Sequence, residues 1–284
     1  MKFQLLSDID TVRRGWPLGR VRPASWPDSA APGVPDRPSN LGWARAEPVR
    51  TLRWMIQRGL SLPFTKLMTD PHVEGRDWLR QMDRPAILAS NHVSHADTQI
   101  LLYALPDGAR EKTVVAAAAD YWYRRPWLGR VVGLWLNTFP FSRTGGAREV
   151  LHSASELLKS GWNLLYYAEG TRSTDGRLGT FMPGLGHLAN QTRSPVVPMH
   201  IKGSHRVMPK GRAFPLPAPV EVRIGKPLSL GPGEDSRAFT GRVESAVREL
   251  SAGSRKPEVV GTWIERWEAS RPPNRSRSAR HRIG

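Results

Sequence analysis

The sequence predicts a single α/β domain, in which helices flank a β-sheet, with disordered basic termini. Three observations lead to this class. Short apolar runs alternate with helical patterns along the chain, as is typical of α/β domains. A chain of 284 residues, 39% of them hydrophobic, can bury a sizeable core. Both ends of the chain lack a sustained apolar period, so they are not expected to join that core.

Five short apolar runs have the length and residue types of strands. The helical period is clearest over Ala147–Ser160, and Gly161 follows it as a stop signal. Arg237–Leu250 is a second predicted helix. The predicted strands are Pro85–Ser90, Thr113–Ala118, Trp162–Ala168, Val196–Ile201 and Val220–Ile224.

The predicted folded domain covers residues 49–268. Residues 1–48 contain seven prolines and are predicted to form an extended or disordered arm. Residues 269–284 are predicted to form a disordered basic tail, because their last fourteen residues include five arginines and no acid.

The overall charge points to an anionic partner. The chain has 42 Lys and Arg against 25 Asp and Glu, a formal net charge of +17. Nucleic acid, anionic lipid and a phosphorylated substrate are all compatible with this charge. The chain has no cysteine, which excludes disulfides, thiolate metal sites and a cysteine nucleophile.

Membrane insertion is not predicted. The longest weakly charged stretch, Val131–Ser142, is about half of the roughly 20 apolar residues that a spanning helix needs. The first sixteen residues lack a long apolar region, so no signal peptide is expected.

One segment near residue 55 has the pattern of a basic amphipathic helix. Leu52, Met55, Ile56 and Leu60 share one face, with Trp54 near its boundary. Such a helix can lie in a membrane interface, or it can be an ordinary surface helix packed on the sheet. If it meets a membrane, the expected contacts are Arg50, Arg53, Trp54 and Arg58, aided by Trp122, Tyr123, Arg124, Arg125 and Trp127, although Trp122 and Trp127 could equally lie in the core.

The run from Ser90 to Asp97 holds a candidate general base. It follows a predicted strand and precedes a helical pattern, and Asp97 comes five residues after His92. An aspartate at that distance can accept from one ring nitrogen and leave the other as the base. His95 is a rival base, although it is only two residues from Asp97. In the structural alternative, His92 only caps the helix or joins a turn.

A second polar run, from Tyr166 to Ser173, follows another predicted strand. Arg172 offers a planar fork for a phosphate, and the neighbouring hydroxyls offer extra donors. Glu169 could orient a cation or a hydroxyl. The alternative is a charged surface turn with a Glu–Arg ion pair.

Two further segments could contribute. Arg143 precedes a predicted helix, whose start also favours anions. Val197–Ile201 could line an acyl or thioester site, or it could be a plain core strand.

Together, these runs resemble the glycerolphosphate and lysophosphatidate acyltransferase family. NHVSHAD, from Asn91, looks like the NHxxxxD block of the family, and FSRTGG, from Phe141, is similar to its arginine-bearing block. AEGTRS resembles its FPEGTRS block, and VVPMHI its VPxxI block, in the family order. Two positions depart from the pattern. Ala168 replaces the proline that usually precedes Glu-Gly-Thr-Arg, and Met182 follows Phe181 at a position where the family often has a lysine.

The resemblance implies a central mixed β-sheet and a reaction in phospholipid biosynthesis. An acyl group would pass from acyl-CoA or acyl carrier protein to a hydroxyl of lysophosphatidate or a related lysolipid. His92 and Asp97 would be catalytic, and neither a metal nor another cofactor is implied. The implied substrate-binding residues are Arg143, Glu169, Gly170, Thr171 and Arg172.

With a lipid substrate, a net charge of +17 and no predicted span, we expect a peripheral protein on an anionic membrane, at the cytoplasmic face of the cell membrane. A nucleic-acid-binding protein and a non-catalytic lipid-surface protein remain alternatives. No zinc finger, RNP-like strand or leucine zipper supports specific nucleic-acid binding.

Overall fold

A computed structural model describes residues 41–118, 126–141, 147–173, 176–208 and 214–253. Before the first strand come a 3₁₀-helix (Leu41–Arg45), α1 (Glu47–Ile56), a π-helical turn (Gln57–Ser61) and α2 (Leu62–Thr69). The strands are β1 (His72–Glu74), β2 (Ile87–Ser90), β3 (Thr113–Ala118), β4 (Thr138–Phe141), β5 (Asn163–Tyr167), β6 (Val196–Lys202) and β7 (Glu221–Ile224). The other helices are α3 (Arg76–Arg80), α4 (Asp97–Ala104), α5 (Asp107–Glu111), α6 (Pro126–Leu136), α7 (Ala147–Lys159), α8 (Gly184–Thr192), α9 (Ser204–Val207) and α10 (Ser236–Ala252).

The strands form one mixed sheet in the order β1-β7-β6-β2-β5-β3-β4. Every neighbouring pair is parallel except β6 and β7, which are antiparallel. This confirms the predicted α/β class, and β2, β3, β5, β6 and β7 match the five predicted strands. The short edge strands β1 and β4 were not predicted.

Both faces of the sheet are covered, so the central strands β2 and β6 are buried almost throughout. Along β2, Leu88 points into a core shared with α4, whereas Ile87 and Ala89 point into a second core shared with α8 and α10. The helices predicted over Ala147–Ser160 and Arg237–Leu250 are confirmed as α7 and α10.

The predicted boundary between residues 48 and 49 falls inside α1. The 3₁₀-helix and the start of α1 lie within the segment that we expected to be an extended arm. Of the seven prolines in that segment, Pro48 lies in the first turn of α1, where a helix does not need its N–H. The outer parts of the predicted arm and tail, residues 1–40 and 254–284, lie outside the described residues, and the domain boundaries otherwise stay predictions.

The side of α1 and α2 that faces the domain is polar, contrary to the usual arrangement of a surface helix. From Thr51 to Thr69 the buried residues recur at intervals of four, and the π-helical turn between α1 and α2 keeps them on one side by adding a residue to that turn. Large apolar side chains of the same helices are exposed. The buried residues are Arg53, Gln57, Ser61, Thr65 and Thr69, and the exposed apolar ones are Leu52, Trp54, Met55, Leu60, Phe64 and Leu67.

The polar side of α1 is fastened to the end of α6. The guanidinium of Arg53 donates to the backbone oxygens of Leu134 (2.7 Å), Gly133 (3.3 Å) and Ala44. A cation at this place also suits the negative end of the α6 dipole. Burial, together with the charges of Arg45 and Arg50, lowers the pKa of Arg53 to about 10, so Arg53 is still charged at neutral pH. The expectation that Arg53 contacts a membrane is therefore wrong: only 5% of its surface is exposed.

Candidate active site

The carboxyl ends of β2, β5 and β6 lie side by side, because these strands are parallel neighbours. The loop after β2 carries His92, and the loop after β5 carries Glu169 and Arg172. This edge of an open α/β sheet is where such folds place their ligands. The sheet order thus brings together two motifs that are more than 70 residues apart in sequence.

His92 and Asp97 form a hydrogen-bonded pair. The Nδ1 atom of His92 lies 2.9 Å from Oδ2 of Asp97. The same oxygen accepts from the backbone N–H groups of Val93 (2.7 Å) and Ser94 (2.8 Å). Asp97 begins α4 and its side chain is fully buried. Because the carboxylate fixes the proton on Nδ1, the Nε2 atom keeps a free lone pair and can act as a base.

The His92 ring is also supported from its flat side. It stacks on the ring of Tyr167, with centroids 3.9 Å apart and planes 16° apart. The Tyr167 hydroxyl lies 2.7 Å from the hydroxyl of Thr98 on α4. Burial, and then the charge of Asp97, raise the pKa of Tyr167 well above its usual value, while the hydrogen bond with Thr98 acts the other way. A neutral phenol therefore faces the imidazole.

Glu169 joins three segments of the site. Its Oε1 accepts from the backbone N–H of His92 and its Oε2 from that of Gly179, both at 3.0 Å. Burial raises the pKa of Glu169, and these two N–H donors act in the opposite direction. Its carboxylate therefore holds the loop after β2 and the segment at Gly179 together, and its contact with a substrate stays a prediction.

The loop that follows Glu169 turns back toward the histidine. Gly170 has a φ of +71°, a left-handed conformation that glycine adopts readily. Two residues beyond Thr171, the N–H of Ser173 donates to the backbone oxygen of His92 at 2.8 Å. Thr171 is exposed and Arg172 half-buried at this edge.

The structure distinguishes between the two candidate histidines. Burial first, and then the charges of Arg172 and His92, lower the pKa of His95 to about 3. The Asp97 charge acts the other way, but the hydrogen bond of that carboxylate goes to the His92 ring. Asp97 therefore orients the ring of His92.

The remaining predicted phosphate ligand, Arg143, lies outside the described residues, as do Trp122, Tyr123, Arg124 and Arg125. Among the described residues, no group of three or more His, Asp or Glu side chains is arranged to hold a metal ion. In the same part of the chain, no helix is long and apolar enough to cross a bilayer.

No role was predicted for Asn91, which ties the loop after β2 to β6. Its buried amide donates to the backbone oxygen of Ile201 (3.0 Å) and accepts from the N–H of Ile201 (2.9 Å). The first and fourth motifs, NHVSHAD and VVPMHI, therefore meet through this asparagine. β6 is a buried core strand at this point. The position of Asn91 beside His92 in the motif was the available signal.

Comparison with known proteins agrees with this arrangement. Residues 70–202 match the protein-family model described as Acyltransferase. The chain is 30% identical over 155 residues to a 1-acyl-sn-glycerol-3-phosphate acyltransferase of Cocos nucifera, covering 54% of this chain and 48% of the relative. It is 32% identical over 169 residues to a chloroplastic 1-acyl-sn-glycerol-3-phosphate acyltransferase of Arabidopsis thaliana, covering 58% of this chain and 44% of the relative.

A solved structure extends the likeness to the fold. The crystal structure of the 1-acyl-sn-glycerophosphate acyltransferase PlsC from Thermotoga maritima matches with a TM-score of 0.57 and 25% identity, over 76% of this chain and 85% of that one. The chain spans a little under half the length of the two plant relatives. The family model, the relatives and the fold support the resemblance to the glycerolphosphate and lysophosphatidate acyltransferase family that the four ordered motifs indicate.

Proposed function

We propose that this protein transfers a fatty acyl group from a thioester to the hydroxyl of lysophosphatidate or a related lysolipid. The main observation behind this proposal is the His92–Asp97 pair, in which Nδ1 of His92 lies 2.9 Å from the carboxylate of Asp97. The acceptor hydroxyl oxygen would bond to the thioester carbonyl carbon while its proton passes to Nε2 of His92. When the C–S bond breaks, its electron pair leaves with sulfur, and the proton on His92 completes the free thiol.

Direct transfer suits this chain, because it has no cysteine and needs no acyl-enzyme. The donor would be acyl-CoA or acyl carrier protein, without a resident cofactor or metal. Asp97 would stabilise the imidazolium that forms as the proton arrives.

The acceptor phosphate would bind Arg172 and Arg143. Arg172 lies in the loop that contacts His92 through Ser173, so a phosphate on its fork would hold the acceptor hydroxyl near the base. Glu169, Gly170 and Thr171 would shape this loop around the acceptor.

A lipid acceptor resides in a bilayer, and we propose that α1, α2 and α6 dock the protein on it. The apolar side chains of α1 and α2 point away from the domain. On α6, Trp127, Val131 and Trp135 are also exposed and are spaced by four, so they share one side of that helix. Trp127, which could have been a core residue, is 59% exposed. Tryptophan favours the membrane interface, and the net charge of +17 favours anionic lipid. The protein would thus be peripheral, at the cytoplasmic face of the cell membrane.

The reaction is tested by incubating an acyl thioester with a panel of lysophospholipids and measuring free thiol and the lipid product by mass spectrometry. We expect thiol release that depends on the acceptor. His92→Ala should lower turnover by a factor of about 10² to 10⁴ without changing the folded circular-dichroism spectrum. Normal turnover by folded His92→Ala would refute the mechanism. Salt-sensitive binding to DNA without thiol release would support the nucleic-acid alternative.

The docking is tested separately by co-sedimentation with anionic and neutral vesicles. Leu60→Glu combined with Leu67→Glu should weaken binding to anionic vesicles. The matched control, Gly241→Glu with Ser245→Glu, adds the same charge at exposed positions of α10, on the other side of the sheet. Equal losses in both double variants would show that net charge alone matters, and would contradict docking through α2.

A further inference from the structure

The segment Phe214–Pro219, which lies between α9 and β7, is conformationally constrained. Its sequence is FPLPAP, with proline at every second position. Proline fixes its own φ and restricts the residue before it to extended conformations, so every residue of this strap is constrained.

Three backbone hydrogen bonds hold the strap and the residue after it in place. The N–H of Leu216 donates to Val207 of α9 at 2.6 Å, and that of Ala218 donates to Met68 of α2 at 2.9 Å. The N–H of Val220 donates to Thr69 at 3.0 Å. The strap therefore has a fixed position beside the carboxyl end of α2.

The strap leaves its largest side chain in water. Phe214 is 80% exposed and Leu216 is 38% exposed, whereas Ala218 is buried. Exposed Phe64 and Leu67 lie on α2, close in sequence to the Met68 that bonds the strap. A constrained segment that extends an exposed apolar surface is typical of a contact site.

We propose that this strap is a second bilayer contact, which orients the catalytic edge toward the membrane; the inference rests on the proposed docking through α1 and α2. The occupant is an anionic bilayer because of the charges around the strap. From Ser204 to Val220 the sequence has no acidic residue and carries four basic ones, counting His205. Arg206 of α9 and Lys66 of α2 are exposed beside the strap. Apolar side chains flanked by cations suit the lipid interface.

The strap is connected to the reaction centre by a short path. The Ser94 hydroxyl, in the catalytic loop, donates to the backbone oxygen of Met208 at 3.2 Å, directly after α9. The strap is bonded to α9 at Val207. With α1 and α2 as the first contact, a second contact here would fix the tilt of the domain and present the His92 edge to the lipid.

The absence of cysteine allows a clean labelling experiment on the full chain. Phe214→Cys, Leu60→Cys and Ser245→Cys each receive one environment-sensitive NBD fluorophore. Ser245 is exposed on α10, across the sheet. Vesicles of equimolar phosphatidylcholine and phosphatidylglycerol are then added. We expect a blue shift and protection from aqueous iodide at positions 214 and 60, and neither change at 245.

A response at position 60 without one at 214 would overturn the strap while leaving the docking proposal intact. No response at either position would overturn both. A label at 214 that is already protected in buffer would mean that another part of the chain or a second copy covers the strap, which also overturns the inference. As an activity test, Phe214→Ser with Leu216→Ser should lower the ratio of turnover on vesicle-borne acceptor to turnover on a short-chain soluble acceptor on the order of tenfold; an unchanged ratio would contradict the inference.

Discussion

The ring of Tyr167 lies flat against the imidazole of His92, with the two centroids 3.9 Å apart. Asp97 holds the edge of the same imidazole through Nδ1. The histidine is therefore fixed in both its plane and its rotation, and Nε2 is directed away from the protein contacts that hold it. Because Thr98 and Asp97 are consecutive on α4, the start of one helix contacts both Tyr167 and the His92 ring.

We expect Tyr167→Leu to lower kcat by up to about tenfold, because a stacked aromatic pair contributes about 0.5 to 1.5 kcal/mol beyond its buried area. The KM for the acceptor should change little, since the ring does not hold the phosphate. Tyr167→Phe keeps the stack and should retain more activity than Tyr167→Leu. Tyr103→Leu removes an aromatic residue elsewhere on α4 and serves as the control. If Tyr167→Phe and Tyr167→Leu lost equal activity, the hydroxyl rather than the stack would matter.

Glu169 offers a second test of loop positioning. Its two oxygens accept from two backbone N–H groups, those of His92 and Gly179. A glutamine has only one accepting oxygen, so Glu169→Gln leaves one N–H without its acceptor. We expect a fall in kcat of about tenfold or more, in line with the roughly 1.5 to 3 kcal/mol of a hydrogen bond to a charged group. Glu156→Gln, at an exposed ion pair with Lys159, is the control.

The same contact can be disturbed from the other side. A Cβ at position 179 would lie 2.8 Å from Oε2 of Glu169, so Gly179→Ala must push the carboxylate away. We expect Gly179→Ala to reproduce the kinetic effect of Glu169→Gln, and the double variant to be no worse than the more damaging single one. Fully additive losses in kcat would show that the two residues act independently.

Arg172→Lys should weaken the binding of the acceptor rather than the binding of the acyl donor. Lysine keeps the charge but loses the planar fork that binds phosphate through two hydrogen bonds. We expect a higher apparent KM for lysophosphatidate and a nearly unchanged KM for the thioester. The two constants are measured by varying each substrate at saturation of the other, with exposed Arg237→Lys on α10 as the control. A change confined to the thioester constant would move Arg172 to the donor site.

Local sequence pattern was enough to predict the strand–loop motifs but not their contacts. His92 and Asp97 are five residues apart, and helix-start geometry joins them without long-range information. The stack of His92 on Tyr167 requires β2 and β5 to be neighbours, and the bond from Asn91 to Ile201 spans 110 residues. Strand order decides both. The short edge strand β4, which contains Pro140, was not predicted, although the central strand β6 was predicted despite Pro198.

The N-terminal helices show a different limit. The apolar side of α1 was correctly identified, but periodicity alone does not say which side of a helix faces the domain. Here the residues spaced by four from Arg53 to Thr69 form the buried side. Arg53 is therefore buried against the domain, whereas we expected it to contact a membrane. The backbone oxygens at the end of α6 compensate the burial of that cation, and these partners lie about 80 residues away in sequence.

Acid should destabilise the fold through His200. Burial lowers the pKa of this β6 histidine to about 4; Glu221 opposes the shift, and Lys202 and Arg223 add to it. The unfolded chain takes up the proton near pH 6.5, whereas the folded protein resists it, so the unfolded state binds more protons between these values. The contribution of His200 to stability is therefore complete above pH 6.5 and is lost as the pH falls toward about 4. At pH 5 the loss is about 2 kcal/mol.

Urea unfolding at pH 7.5 and pH 5 measures this loss. His200→Gln should reduce the difference between the free energies of unfolding at the two pH values, and His187→Gln, at an exposed position, should not. An unchanged pH dependence in His200→Gln would show that His200 does not carry this effect.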